Sequence, residues 1–259
     1  MTADQLMVQI GDDFVAEIIL NRPEHLNAFN TPLAMELDAA LRRLDNDDQV
    51  RVILIKGAGK AFCAGIDLKE FPDKSALEYH RWVERMERPF ITISQMRTPV
   101  IAQVQGAAVA NGFGLVAAAD LAIAAESTKF GLTAIKVGLN CVGPVVAVAR
   151  SVGRKRALEL LLFGDLIEAP QALEMGLINR VVPKEELDMI GRQWARMLAE
   201  KSPLALQMAK KAFYDIESLS YEKAFAHMNE VFARLCTTKD AQEGINAFFE
   251  KRAPQWKLK

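Results

Sequence analysis

Two stretches of this chain share one plan, and that plan limits the fold more than any other feature of the sequence. Each is a β-branched, apolar run that passes into a turn of small residues. The first strand reads as Val50 to Gly57, with Lys56-Gly57-Ala58-Gly59-Lys60 as its loop, and leads into Ala61-Phe62-Cys63-Ala64-Gly65-Ile66-Asp67-Leu68. The second, Val100 to Val104, runs into Gln105-Gly106-Ala107-Ala108-Val109-Ala110-Asn111-Gly112-Phe113-Gly114 and opens a helix from about Gly112. Turns of this kind leave backbone N–H groups free to face a ligand, so two of them can set two donors around one carbonyl oxygen. Taken singly, each reads equally well as a tight strand-to-helix connection.

The rest of the sequence fits an α/β protein. Leu6 to Ile10 and Phe14 to Leu20 read as strands joined by Gly11-Asp12-Asp13, and a helix follows with Thr31 as N-cap and Pro32 as its first residue. Residues 75 to 96 read as a helix that Pro89 should break or kink, and Leu121 to Ala125 as a further strand. Alternation of this sort predicts largely parallel pairing. Past about residue 150 the pattern becomes helical: Lys155 to Phe163, Pro170 to Met175, Pro183 to Glu200, Pro203 to Ile216, Tyr221 to Cys236 and Ala241 to Lys251. Only Leu177 to Val182 reads as a strand there.

Composition narrows the partners. With 51% hydrophobic residues, 25% charged residues and a formal net charge of −1, the chain is an ordinary globular sequence and no general nucleic-acid binder. Cys63, Cys141 and Cys236 lack paired spacing, and His25, His80 and His227 lack metal spacing, so no disulfide framework or metal site is expected. A reducing cytoplasm fits best. Met1 to Ile10 has no signal-peptide pattern, and no apolar run approaches the roughly 20 residues that span a bilayer.

Taken in order along the chain, the motifs resemble the enoyl-CoA hydratase/isomerase (crotonase) superfamily. They comprise Leu20-Asn21-Arg22-Pro23 with Leu26-Asn27-Ala28, Ala61 to Leu68, Thr98 to Ala102, Ala118 to Ala124, Phe130-Gly131, Gly176-Leu177-Ile178, and Glu243-Gly244 through Arg252. The resemblance implies a spiral of ββα units over residues 1–195 and a helical C-terminal oligomerisation region over 196–259, assembled as a homotrimer or a dimer of trimers. It also implies an acyl-CoA thioester substrate, with coenzyme A as part of the substrate and no separate cofactor. The backbone N–H groups of Ile66 and Asn111 are then the oxyanion-hole donors, Asn111 standing where glycine is usual. His25, Leu26, Ala28, Ala64, Gly65, Asp67, Leu68 and Gly112 would lie along the CoA ester, with Phe232, Phe248 and Lys251 closing over its nucleotide, often from a neighbouring subunit. Lys251 could pair with a phosphate, or be an exposed helix charge; Asp67 would stabilise its turn.

One part of the family pattern is missing. The two glutamates of the archetypal hydratase fall on Gly114 and Ala134, so two-carboxylate water addition is not expected. What stays open is hydration of a cyclic or conjugated enoyl-CoA by a substitute acid/base, double-bond migration, decarboxylation, or acyl-CoA binding without catalysis. Val142 stands where aroyl-CoA dehalogenases carry their aspartate, which disfavours that reaction. Their histidine falls near Glu87; Glu84 and Glu87 read as solvated helix charges, with a base there as the alternative. Asn140 and Cys141 are read as pocket-lining, Cys141 as an unreactive thiol. Gly112-x-Gly114-x-x-Ala117 fits a dinucleotide fingerprint, but residues 130 to 139 lack the acidic partner it requires.

Overall fold

A computed structural model describes residues 5–258. The first four residues of the N-terminal leader reading, and Lys259 of the C-terminal region, lie outside it. The chain opens with the antiparallel hairpin β1 (Leu6–Ile10) and β2 (Val15–Leu20), followed by α1 (Thr31–Asp45) and β3 (Val52–Gly57). It continues through α2 (Ala76–Gln95), β4 (Val100–Val104), β5 (Ala107–Val109), α3 (Asn111–Ala118), β6 (Leu121–Ala125) and β7 (Lys129–Gly131). Then come α4 (Pro144–Phe163), β8 (Ile167–Glu168), α5 (Ala169–Glu174), β9 (Arg180–Val182) and α6 (Leu187–Ala199). The helices α7 (Pro203–Ile216), α8 (Tyr221–Cys236) and α9 (Lys239–Glu250) complete the chain, and the expected division after residue 195 lies within α6.

Two sheets carry the core. The larger has six strands in the order β1-β2-β3-β4-β6-β9, parallel from β2 onward, and the smaller has three in the order β5-β7-β8. The chain repeatedly visits one sheet and then the other: β4 then β5, β6 then β7, and β3 then Cys63, which bridges Ala108 of β5. That alternation is the repeating ββα unit implied by the family resemblance. Period-two alternation sends Ile53, Ile55, Ala102 and Val104 to one face and Val52, Leu54, Ile101 and Ile123 to the other, where α6 packs. With both faces covered, the central strands β3 and β4 are almost wholly apolar, Lys56 and Gln103 being their buried polar residues. Each fully buried Ile or Leu among them contributes about 1.5–3 kcal/mol.

Three local expectations are corrected. Asn30, not Thr31, caps α1, its side chain accepting from the Leu33 N–H, while Thr31 is the first helical residue and its N–H is taken by Glu70. Pro89 neither ends nor splits α2. A proline inside a helix costs about 3 kcal/mol, and burial of Trp82, Met86, Pro89, Phe90 and Ile93 on the same face offsets it. Finally, the strand read over Leu177 to Val182 shrinks to β9, because Leu177 and Ile178 pack into the core ahead of the ladder. The three-stranded sheet was not legible: β5, β7 and β8 have two or three residues each, too few for a period.

Candidate active site

Parallel pairing sets the C-terminal ends of β3 and β4 side by side, so the two small-residue turns leave from one edge. Asn27 stitches the first of them. Its buried side chain accepts from Arg22 N at 2.8 Å and donates to the carbonyls of Ala58 and Ala61, both at 2.8 Å. Arg22 also pairs with Asp67 at 2.8 Å and donates to the carbonyl of Ala28. Burial opposes ionisation of Asp67, but the Arg22 guanidinium and the Lys69 N–H outweigh it and hold the carboxyl below its usual range. Asp67 therefore stabilises its turn, as expected.

The consequence for Ile66 is geometric. Phe29 N donates to Gly65 O and Asp67 N donates to Phe29 O, a parallel bridge that uses the residues on either side of Ile66 and turns its own N–H away. Asn111 is the first residue of α3, where no intrahelical acceptor exists. Neither N–H has a hydrogen-bond partner among the described residues. The two turns also touch: Gly65, at φ +95°, has no Cβ, and one placed there would lie 2.8 Å from the Cβ of Ala110. Gly112 lies against Cys63, whose thiol burial pushes up to about 12. Ala110 enters α3 at φ 48° and ψ −115°, a left-handed conformation that costs a non-glycine residue about 1–3 kcal/mol.

Ile66 and Asn111 line one cavity of about 280 Å³. Its far wall is α2, which presents Tyr79, Val83 and Glu87 at four-residue spacing, one line along a helix face. Phe71, Tyr79 and Trp82 form an aromatic cluster there, with ring centroids 5.0 to 6.4 Å apart. Tyr79 donates to Phe71 O at 2.6 Å and Trp82 donates to Glu70 at 3.0 Å, so both polar tips are tied down. The loop ahead of α4 supplies Asn140, Cys141 and Gly143. Burial pushes the Cys141 thiol up, consistent with its reading as an unreactive lining group.

The expected site residues separate into two sets. Ala64, Ile66, Leu68 and Asn111 line the cavity; Gly65 and Gly112 are buried behind it, and Asp67 holds the turn. Leu26 accepts from Ala64 N, which places the segment from His25 to Ala28 beside that turn, with His25 and Leu26 exposed and Ala28 half-buried. Phe232, Phe248 and Lys251 do not line the cavity and stand exposed on α8 and at the end of α9. The two empty glutamate positions are both near it. Ala134 lines the cavity, whereas a Cβ on Gly114 would lie 2.9 Å from Pro144 and 3.1 Å from Phe90. No group of acidic, histidine or cysteine side chains fit to hold a metal occurs among the described residues.

Glu84 and Glu87, read together from the sequence, part company. Glu84 is exposed and sits 3.6 Å from His80, a solvated helix charge as expected. Glu87 is not solvated in that way: it is half-buried, lines the cavity, and has no hydrogen bond or ion pair among the described residues. Burial alone pushes its carboxyl above the usual glutamate range. The signal that could have found it was the Tyr79-Val83-Glu87 spacing.

The family profile of enoyl-CoA hydratase/isomerase matches residues 11–259. The chain belongs to the enoyl-CoA hydratase/isomerase family. Its relatives include the enoyl-CoA hydratase domain-containing protein 3 of Xenopus laevis, 36% identical over 93% of this chain and 83% of that protein. Among solved structures, an enoyl-CoA hydratase of Mycobacterium smegmatis superposes with a TM-score of 0.94 at 37% identity, covering 97% of this chain and 98% of that one. The human domain-containing protein 3 superposes at 0.93 with 33% identity, covering 97% and 100%. The α/β spiral with helices at its C-terminal end is thus the crotonase fold.

Proposed function

We propose that this family member acts on an acyl-CoA thioester by stabilising an enolate between the N–H groups of Ile66 and Asn111. The observation that carries it is that these two unpaired donors line one cavity at the meeting point of two turns. When a thioester loses a Cα proton or CO₂, negative charge collects on the carbonyl oxygen, and fixed donors lower the barrier without reorganising. The buried side-chain amide of Asn111 also lacks a partner. An unpaired buried donor costs about 1–3 kcal/mol, a cost that a ligand acceptor would remove.

Chemistry needing one acid/base group is favoured over water addition by two carboxylates. Pro144 and Phe90 fill the space a side chain at Gly114 would need, and Ala134 offers no proton. Double-bond migration and decarboxylation fit that constraint; hydration of a conjugated or cyclic enoyl-CoA requires a substitute group. Coenzyme A enters as part of the substrate, along His25, Leu26, Ala28, Ala64 and Leu68. Three free cysteines fit a reducing compartment such as the cytoplasm. For the C-terminal region 196–259, assembly into trimers or dimers of trimers is supported by α8, which buries none of its residues and exposes Phe225 and Phe232, and by exposed Phe248 and Phe249 on α9. Sedimentation at micromolar concentration tests it, a monomer being the contrary result.

The function is tested by incubating the protein with enoyl-, dienoyl- and malonyl-type CoA esters in deuterated water and identifying products by mass. Deuterium at Cα or Cγ without added water, or loss of CO₂, is the expected result. Binding of the esters with no product across the panel would mean an acyl-CoA carrier instead.

A further inference from the structure

Glu87 is a carboxyl group in an unusual place. Its helix neighbour Glu84 reaches water, yet Glu87 faces the cavity that holds Ile66 and Asn111 and also borders a second cavity of about 490 Å³ behind it. The two cavities share Glu87 and Gly143 and no other residue. At Gly143 a Cβ would fall 1.4 Å from Glu87 Oε1, so the carboxyl occupies its position only because residue 143 has no side chain. The rear cavity reaches the surface, for Ile91, Val146 and Phe213 in its lining are exposed.

We propose that Glu87 is the proton-transfer group of the thioester site, its carboxyl standing between the substrate cavity and a rear cavity through which it exchanges protons with solvent. This rests on the thioester reading given above. In the step itself, the Glu87 carboxylate takes a proton from Cα of the thioester. The C–H electron pair becomes the Cα=C bond of the enolate, and the carbonyl π pair moves onto the oxygen held by Ile66 and Asn111. The carboxylic acid then returns its proton to Cα, or to Cγ of an unsaturated acyl group, and no oxidant or co-reactant is consumed.

The surroundings suit that task. Tyr79 and Cys141 are the other titratable groups lining the substrate side; the phenol is engaged with Phe71 O and the thiol is held protonated by burial. On the rear side the ionisable groups are Asp120, Arg150, Tyr214 and Glu217. Arg150 lies 3.3 Å from Glu217, and Tyr214 donates to Asp120 at 3.0 Å, so each has a partner of its own. Glu87 is left without a counter-ion, which keeps a half-buried carboxyl closer to neutrality than a surface one. A general base works best when its acidity lies nearer the operating pH.

The test is exchange of the Cα protons of butyryl-CoA in deuterated water, followed by mass, beside its dissociation constant. Wild-type protein and Glu84→Gln should bind and exchange alike. Glu87→Gln should bind butyryl-CoA within about twofold of wild type and lose on the order of 100-fold or more in exchange, the range general acid–base groups supply. Glu87→Asp should recover part of that loss. Gly143→Ala, which leaves Glu87 in the sequence but displaces its carboxyl, should resemble Glu87→Gln and keeps the test valid if the latter fails to fold. Wild-type exchange rates in Glu87→Gln or Gly143→Ala would overturn the role of Glu87 and leave the thioester site intact. A wild-type protein that binds butyryl-CoA without exchanging it would also overturn the role, and one that binds no CoA ester would overturn the thioester reading with it.

Discussion

Two of the carboxylates drawn in from the surface of this protein, Asp120 and Glu87, are treated in opposite ways. Asp120 sits at the junction of α3 and β6 with its oxygens fully engaged: Lys210 Nζ lies at 2.7 Å, Val100 N donates at 2.7 Å and Tyr214 donates at 3.0 Å. Lys210 is equally committed, donating also to Thr98 O at 2.9 Å. Glu87 shares the lining of one cavity with Asp120 and has none of these partners. A buried charge that is paired on every side fastens elements together; one left unpaired beside a cavity is held ready for a ligand. The first ties α7 to the sheet. The second faces two free N–H groups.

The comparison can be broken first at Lys210. Lys210→Met leaves Asp120 buried without its counter-ion and should cost about 3–5 kcal/mol of stability in a denaturant melt; a loss below about 1 kcal/mol would mean that the cluster does not fasten α7. Next in size is Gly65→Ala, which adds a Cβ at φ +95° against Ala110 and should force the two donor turns apart. Butyryl-CoA exchange should then fall on the order of 100-fold, the loss typical of one oxyanion donor. Ala110→Gly acts in the opposite sense, relieving the φ 48° entry to α3, with an expected gain of up to about 1 kcal/mol in the same melt.

Glu87→Gln sharpens the contrast through pH. Because burial raises the carboxyl in the folded state, the folded protein holds this proton more tightly than the unfolded chain. Stability therefore falls as pH rises from the ordinary glutamate range through the raised folded value, and the cost is complete above it. Thermal melts should show Glu87→Gln more stable than wild type at neutral pH, with the advantage shrinking as pH drops through the raised folded value and gone below the ordinary glutamate range. An advantage that grows toward acid would contradict the assignment. Smallest of all, Glu84→Gln removes an exposed partner of His80 and should change stability by no more than about 0.5 kcal/mol.

Much of the fold was legible because its long elements carry strong periods: the spacing of Leu33, Leu37, Leu41 and Leu44 gives α1, and the runs at 52–57, 100–104 and 121–125 give the central strands. The two turns of small residues at strand ends were legible for a different reason, as apolar runs passing into small residues, whereas Ile66 and Asn111 were singled out within them by resemblance. Strands of two or three residues were invisible, since their pairing is decided by tertiary closure and not by local sequence. Glu87 reads as a solvated charge, with a base as the alternative, because helix glutamates generally are solvated, and only the packing of α2 against the loop at Gly143 shows which face is covered. Phe232 and Phe248 were placed by resemblance alone; both stand exposed and neither lines the cavity of Ile66 and Asn111.

As proposed, the Ile66 and Asn111 N–H groups polarise a thioester carbonyl. Isotope-edited infrared difference spectra of butyryl-CoA labelled with ¹³C at that carbonyl test it directly. At saturating protein, the labelled stretch should move to lower wavenumber than in free solution, and the shift should shrink in Gly65→Ala. A bound thioester whose stretch stays at its solution position would contradict the account.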